Sequence, residues 1–283
     1  VFRAPTGDVE KVLRGSVREG YRIMSTFLNP LSLAEYLVFF LPIALYVYFH
    51  DRSVIMKLMS GLTIIMSFLN IWLTQSRGAL VVLLAMGIAY VPMYYMRRMN
   101  RQPKRTWLFI ASVVLPVVLI LVLVSIFMVN EFIAGRSAKE TLSSAYRFKQ
   151  MQIGVPLVLE RPILGYGIGE AASVLGFISK TVDNYYLTVS LESGLPSLFL
   201  LLYILSWFIK QGYSTYRTQF DDMGTLAGAL SIALIGFMIF LTVLSLKQVF
   251  PVVFLVFSML LALRGISSSE QAQEGIMDPE AVQ

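Results

Sequence analysis

The stretch VIMKLMSGLTIIMSFLNIWLTQSRGALVVLLAMGIAYVPMYYM, residues 54–96, decides the fold. Two apolar runs, Val54–Leu73 and Ala79–Met96, flank Thr74-Gln75-Ser76-Arg77-Gly78. A helix of about 17–25 predominantly apolar residues crosses a bilayer core, and each run reaches that length. A guanidinium in hydrocarbon costs roughly 2.5 kcal/mol or more, so Arg77 must meet a cavity, a partner or the membrane surface. It either snorkels to head groups as an interfacial anchor or holds phosphate at the surface. The second job suits arginine because its planar fork grips phosphate oxygens in pairs and stays charged.

Composition agrees with a membrane chain. Of 283 residues, 57% are hydrophobic and 14% charged, against about 25% charged in soluble domains; mean hydropathy is +0.71. The formal charge of +6 is scattered between apolar segments rather than gathered in one patch, which argues against a nucleic-acid partner. With no cysteine and one histidine, His50, disulfides, thiolate sites and histidine-rich metal sites are excluded. His50 reads as an ordinary interfacial residue, and no metal or cofactor is expected. Val1 opens a polar stretch without a signal peptide, so the chain reads as the later part of a longer protein with earlier membrane helices.

The expected fold is an all-α, multispanning helix bundle of about seven transmembrane helices: Leu31–Phe49, Val54–Leu73, Ala79–Met96, Trp107–Met128, Val189–Ile209, Gly224–Leu246 and Val249–Leu263. Five cations and no acid between Arg97 and Arg105 put that loop in the cytoplasm. Alternation then sets residues 1–30, the Arg77 turn and a long loop of about 129–188 outside. Residues 1–264 form the membrane domain, and 265–283 a polar, acidic tail expected to be disordered and cytoplasmic. Within the outer loop, Leu142, Tyr146, Ile153 and Leu157 recur at helical spacing, which predicts an amphipathic helix over Ala138–Leu159 on the membrane surface. Pro162 ends it, and Gly165-Tyr166-Gly167-Ile168-Gly169 reads as a flexible turn. That turn follows no strand and is no dinucleotide fingerprint.

Outer-side residues carry the candidate chemistry. Arg22, Arg136, Arg147 and Arg161 join Arg77 as cations suited to an anionic lipid-linked ligand, or else form a solvated face. Asp183, in Asp183-Asn184-Tyr185-Tyr186-Leu187, is either a carboxylate that takes a proton from a hydroxyl or a helix N-cap. Glu35, just inside the first span, is either a functional acid or the ion-pair partner of an arginine.

Four segments in order resemble the O-antigen ligase/polymerase superfamily. They are Tyr21-Arg22-x-x-Ser25-Thr26-Phe27-x-Asn29-Pro30-Leu31-x-Leu33-Ala34, then Thr74-Gln75-Ser76-Arg77-Gly78-Ala79. Arg147 with Arg161-Pro162-Ile163-Leu164-Gly165-Tyr166-Gly167-Ile168-Gly169 follows, and last Asp183-Asn184-x-Tyr186-Leu187 with Glu192-x-Gly194. The resemblance runs from about Tyr21 to Leu202. It implies a metal-independent, inverting glycosyltransferase of the bacterial inner membrane. Such an enzyme moves glycan from undecaprenyl diphosphate to an acceptor sugar hydroxyl on the periplasmic or extracellular face, with other polysaccharide assembly proteins as further partners. Carried over by position, Arg77 and Arg147 bind the diphosphate with Arg22 and Arg136 as helpers. Arg161, Asn184, Tyr186, Glu192 and Glu35 are further substrate-binding candidates. Ligases that use lipid A core typically have His where this chain has Asp183, so the resemblance favours a polymerase of exopolysaccharide, capsule or O-antigen over a ligase. A non-enzymatic transporter of lipid-linked oligosaccharide is the alternative from another class, although paired inverted repeats are not evident.

Overall fold

The computed structural model describes residues 30–74, 76–101, 138–176, 182–242 and 249–277. Among them are the helices α1 (Pro30–His50), α2 (Val54–Leu73), α3 (Arg77–Arg101), α4 (Ala138–Glu160), α5 (Ala171–Val174), α6 (Tyr185–Thr218), α7 (Asp222–Phe240) and α8 (Phe250–Met277), with no strand among the described residues. Five of these, α1, α2, α3, α6 and α7, are long and apolar enough to cross a membrane. The chain is a multispanning helical membrane protein. The expected span Trp107–Met128 lies outside the described residues, as do Arg22 and Arg136.

α7 is the hub. It packs against α1, α3, α6 and α8, and 61% of its apolar span is buried, against 17% for α2. Lipid offers no hydrophobic drive for helices to associate, so close packing of small residues has to supply it. Gly236 of α7 leaves room for the Met86 sulfur of α3, which a Cβ there would meet at 2.5 Å. Gly228 makes the same allowance for the Tyr216 ring, and Gly212 of α6 lies against Ser231.

Arg97, which the sequence places at the start of a five-cation loop, lies within α3 and locks one end of this bundle. Its guanidinium donates to Gln219 O at 2.7 Å and Thr225 Oγ1 at 3.0 Å, and stacks 4.5 Å from the Tyr216 ring centroid. Its charge is thereby spent on the α6–α7 corner.

The helix registers place the opposite end. Arg97 meets Thr225 and Met86 meets Gly236, eleven residues back along α3 and eleven on along α7, so the pair is antiparallel. Nine further back, Arg77 falls at the same end of the bundle as Leu241 and Thr242. On α1, Phe39 packs edge-on against Phe237, which sets Glu35, four residues earlier, level with Leu241. Tyr185 N–H donates to Leu241 O at 2.9 Å and the Tyr186 hydroxyl to Met238 O at 2.8 Å. The starts of α1, α3 and α6 and the end of α7 thus share one layer.

α6 differs from its expected span, Val189–Ile209. At 34 residues it is about 51 Å long at 1.5 Å per residue, well beyond a hydrocarbon core of about 30 Å. It is broken at Gly194, where φ is 81° and ψ 176°. Leu195 and those after it are enough to span, and the first segment, starting at Tyr185, is tied to the end of α7. At the other extreme α8 continues to Met277, into the tail expected to be disordered. Ala, Glu and Gln there are good helix formers, and extending an existing helix needs no new nucleus.

Candidate active site

The turn before Arg77 is built by the two hydroxyl residues of its motif. Thr74 closes α2, with its N–H on Asn70 O at 2.8 Å. Ser76 opens α3, where its Oγ accepts from Ala79 N–H at 3.3 Å. Arg77 is therefore the first residue of α3; its side chain lies outside the described residues.

Across the layer, α4 brings Arg147 to Asp183. Arg147 Nε donates to Asp183 Oδ2 at 3.2 Å, with the two side chains 40% and 32% exposed, so both remain open to a ligand. Among the described residues no other hydrogen bond reaches the Arg147 fork, which leaves its terminal amino groups free for an anion. Asn184 rather than Asp183 caps α6: its Oδ1 accepts from Leu187 N–H at 3.1 Å. That spares the Asp183 carboxylate for Arg147.

Gln150, one turn after Arg147, is a site residue that sequence reasoning missed. It is buried, and its Oε1 accepts from Asp183 N–H at 3.1 Å, which fixes the Asp183 turn against α4. The only sequence signal was its place one helical turn from Arg147, on the face that also carries Ile153 and Leu157. Arg147, Gln150, Met151, Asp183, Asn184, Leu187 and Thr242 line a small open cleft of about 70 Å³. That is well below the usual 300–1,000 Å³ of ligand pockets, so the cleft is a shallow recess rather than an enclosed pocket.

The remaining candidates stand elsewhere. The Tyr186 hydroxyl is committed to Met238 O, so this tyrosine joins α6 to α7. Arg161 lies fourteen residues along α4 and its following turn from Arg147, about 21 Å by helical rise. Its guanidinium covers the Tyr166 ring at 4.8 Å from the centroid. The Tyr166 hydroxyl donates to Glu160 at 2.9 Å; desolvation, then this bond, push its pKa above the ordinary value, so it stays a donor. Glu192 sits on α6 beyond the cleft, at the break before Gly194. Glu35 is 1% exposed, and neither carboxylate oxygen has a hydrogen-bond partner among the described residues. It shares the layer of the cleft without lining it.

The Gly165–Gly169 stretch is a brace rather than a flexible turn. In a continuous helix Leu195 N–H and residue 196 N–H would bond to Leu191 O and Glu192 O. Here Leu195 N–H turns to Pro162 O at 2.7 Å, and Pro196 has no N–H. The two freed carbonyls accept instead from Tyr166 N–H at 2.7 Å and Gly167 N–H at 3.0 Å. Gly165 permits this approach: a Cβ there would lie 2.5 Å from Leu191 O. The glycine-rich motif and the Glu192-x-Gly194 motif are thus two halves of one joint, which holds the first segment of α6, and with it Asp183, against α4.

The layer therefore presents a guanidinium fork and a carboxylate side by side, at the end of the bundle where Arg77 begins α3. Among the described residues no group of three or more His, Asp or Glu side chains is placed to hold a metal. No curated protein matches the chain. Residues 62–202, about half of the chain and the part that carries Arg77, Arg147 and Asp183, match the family described as O-antigen ligase, and the chain belongs to this O-antigen ligase/polymerase superfamily of glycosyltransferase-type membrane enzymes.

Proposed function

We propose that the protein is an inverting, metal-independent polymerase that extends a glycan carried on undecaprenyl diphosphate, at the outer face of the bacterial inner membrane. The observation that carries this reading is the Arg147–Asp183 pair, at 3.2 Å in an open cleft. Arg147, with Arg77, holds the diphosphate. Asp183 keeps Oδ2 on Arg147 and takes the acceptor hydroxyl proton on Oδ1. The acceptor oxygen forms its bond to the anomeric carbon from the face opposite the departing group. The anomeric C–O bond breaks, and its electron pair leaves with the undecaprenyl diphosphate. Fixed cations beside a leaving group that gains charge lower the transition state more than the ground state. Arg77 supports the same reading by position. A cation at a helix N-terminus opposes the macrodipole, a cost offset once an anion binds between them.

The test is a proteoliposome assay with an undecaprenyl-diphosphate oligosaccharide as donor and acceptor. A ladder of longer glycans still on undecaprenyl diphosphate is the expected product. Transfer to lipid A core alone would make the protein a ligase. Movement of intact donor across the membrane with no new glycosidic bond would replace the enzyme reading with a transporter.

A further inference from the structure

α4 is apolar on two faces, and among the described residues only one of them packs into a hydrophobic cluster. Gln150, Gly154 and Val158 are buried, with Gly154 against Leu187 and Leu175. Phe148, Met151, Val155 and Leu159 recur at spacings of three and four residues, so they form a second stripe along the helix, and all four are exposed. Lys149, Gln152 and Glu160 occupy the polar side between the two. The stripe does not stop at the helix end: Ile163 is exposed too, Leu164 is 82% exposed and Ile168 86%. Soluble surfaces rarely carry an apolar patch of more than a few hundred Å² without a binding role.

The joint described above shows what adjoins it. Pro162 O is bonded to Leu195 N–H, so Ile163 and Leu164 sit on α6 about one turn, roughly 5 Å, from the level of Phe199 and Leu200. Those residues and Tyr203 are exposed on a membrane span, where lipid is the neighbour. The stripe is thus continuous with a lipid-facing surface.

We propose that α4 and the turn after it lie in the outer leaflet of the bilayer, with the Phe148–Leu159 stripe, Leu164 and Ile168 in contact with acyl chains and Lys149 and Arg161 at head-group level. This holds the Arg147–Asp183 cleft at the depth of a lipid phosphate. The immersion stands whether or not the cleft transfers glycan.

Because the chain has no cysteine, single-cysteine variants can be spin-labelled without background. Val155→Cys, Leu164→Cys and, as a reference on the polar side, Lys149→Cys are reconstituted in phospholipid nanodiscs. Collision with oxygen, which concentrates in lipid, is compared with collision with a water-soluble nickel chelate. Val155 and Leu164 are expected to favour oxygen several-fold and Lys149 to favour nickel. Nickel preference at both stripe positions overturns the proposal in favour of a water-facing helix. Low access to both agents overturns it in favour of a protein segment covering the stripe. The same cysteines carrying bimane give a second reading, with quenching by brominated lipid expected at both stripe positions.

Discussion

Arg147→Ala is expected to lower the rate of glycan transfer about 10²–10³-fold, the usual cost of removing one fixed donor from a developing anion. The loss falls on kcat as well as kcat/KM, because the contact strengthens as the anomeric bond breaks. Arg147→Lys keeps the charge but loses the fork that reaches Asp183 Oδ2 through Nε at 3.2 Å, so a partial loss of roughly tenfold is expected. Asp183→Asn preserves size and the N–H that bonds to Gln150. If the carboxylate takes the acceptor proton it costs about 10²–10⁴-fold. Initial rates in proteoliposomes, normalised to protein level, check all three. An Arg147→Ala rate within threefold of wild type would remove the guanidinium from the chemistry.

Gly194→Ala is expected to destabilise the protein by roughly 3 kcal/mol through two additive causes. At φ 81° and ψ 176° the backbone is in a region nearly reserved for glycine. A Cβ there would also lie 2.8 Å from Pro162 O and closer still to Ile163 O. Gly176→Ala separates the causes, since it has φ 66° but nothing within 4 Å of the added atom; about 1 kcal/mol is expected for it. Thermal unfolding in detergent ranks the two. Hydrogen exchange adds a local readout: the amides of Tyr166, Gly167 and Leu195, bonded across the joint, lose protection in Gly194→Ala. Equal melting points for the two variants would mean that the joint contributes nothing.

These two residues also show what the sequence made legible. The sequence marks Arg147 as one of several outer-side cations, with a solvated face as the other reading, and the structure pairs it with Asp183. Its partner was half readable. Asp183 was identified, but Asp and Asn are both good N-caps, and composition does not tell which of two neighbours caps the helix. The structure gives that task to Asn184, and the carboxylate is left to pair with Arg147. The joint was not legible. Glycine and proline signal a break or a turn, but the carbonyls freed at the break, Leu191 O and Glu192 O, are satisfied from a loop twenty-five residues earlier, and local pattern carries no record of such a partner. For the same reason Gly165–Gly169 read as flexible.

The spans were legible wherever an apolar run had a clear end, as at Thr74 and Ser76. They were not where a helix outlasts its membrane segment, as α6 and α8 do. Tyr186 belongs to a third kind. Its place in the Asp183-Asn184-x-Tyr186-Leu187 motif makes it a substrate-binding candidate by resemblance, and its hydroxyl fastens α6 to α7. Proximity in sequence to a functional residue is weak evidence when the helix turns successive side chains to different neighbours.

The proposed mechanism has Arg77 and Arg147 act on one diphosphate. Transfer from an undecaprenyl-diphosphate oligosaccharide by Arg77→Ala, Arg147→Ala and the double variant, at matched protein level, tests this. A shared ligand predicts that each single change costs about 10²-fold or more and that the double change costs far less than their product. Full activity in either single variant, or losses that multiply in the double variant, would contradict it.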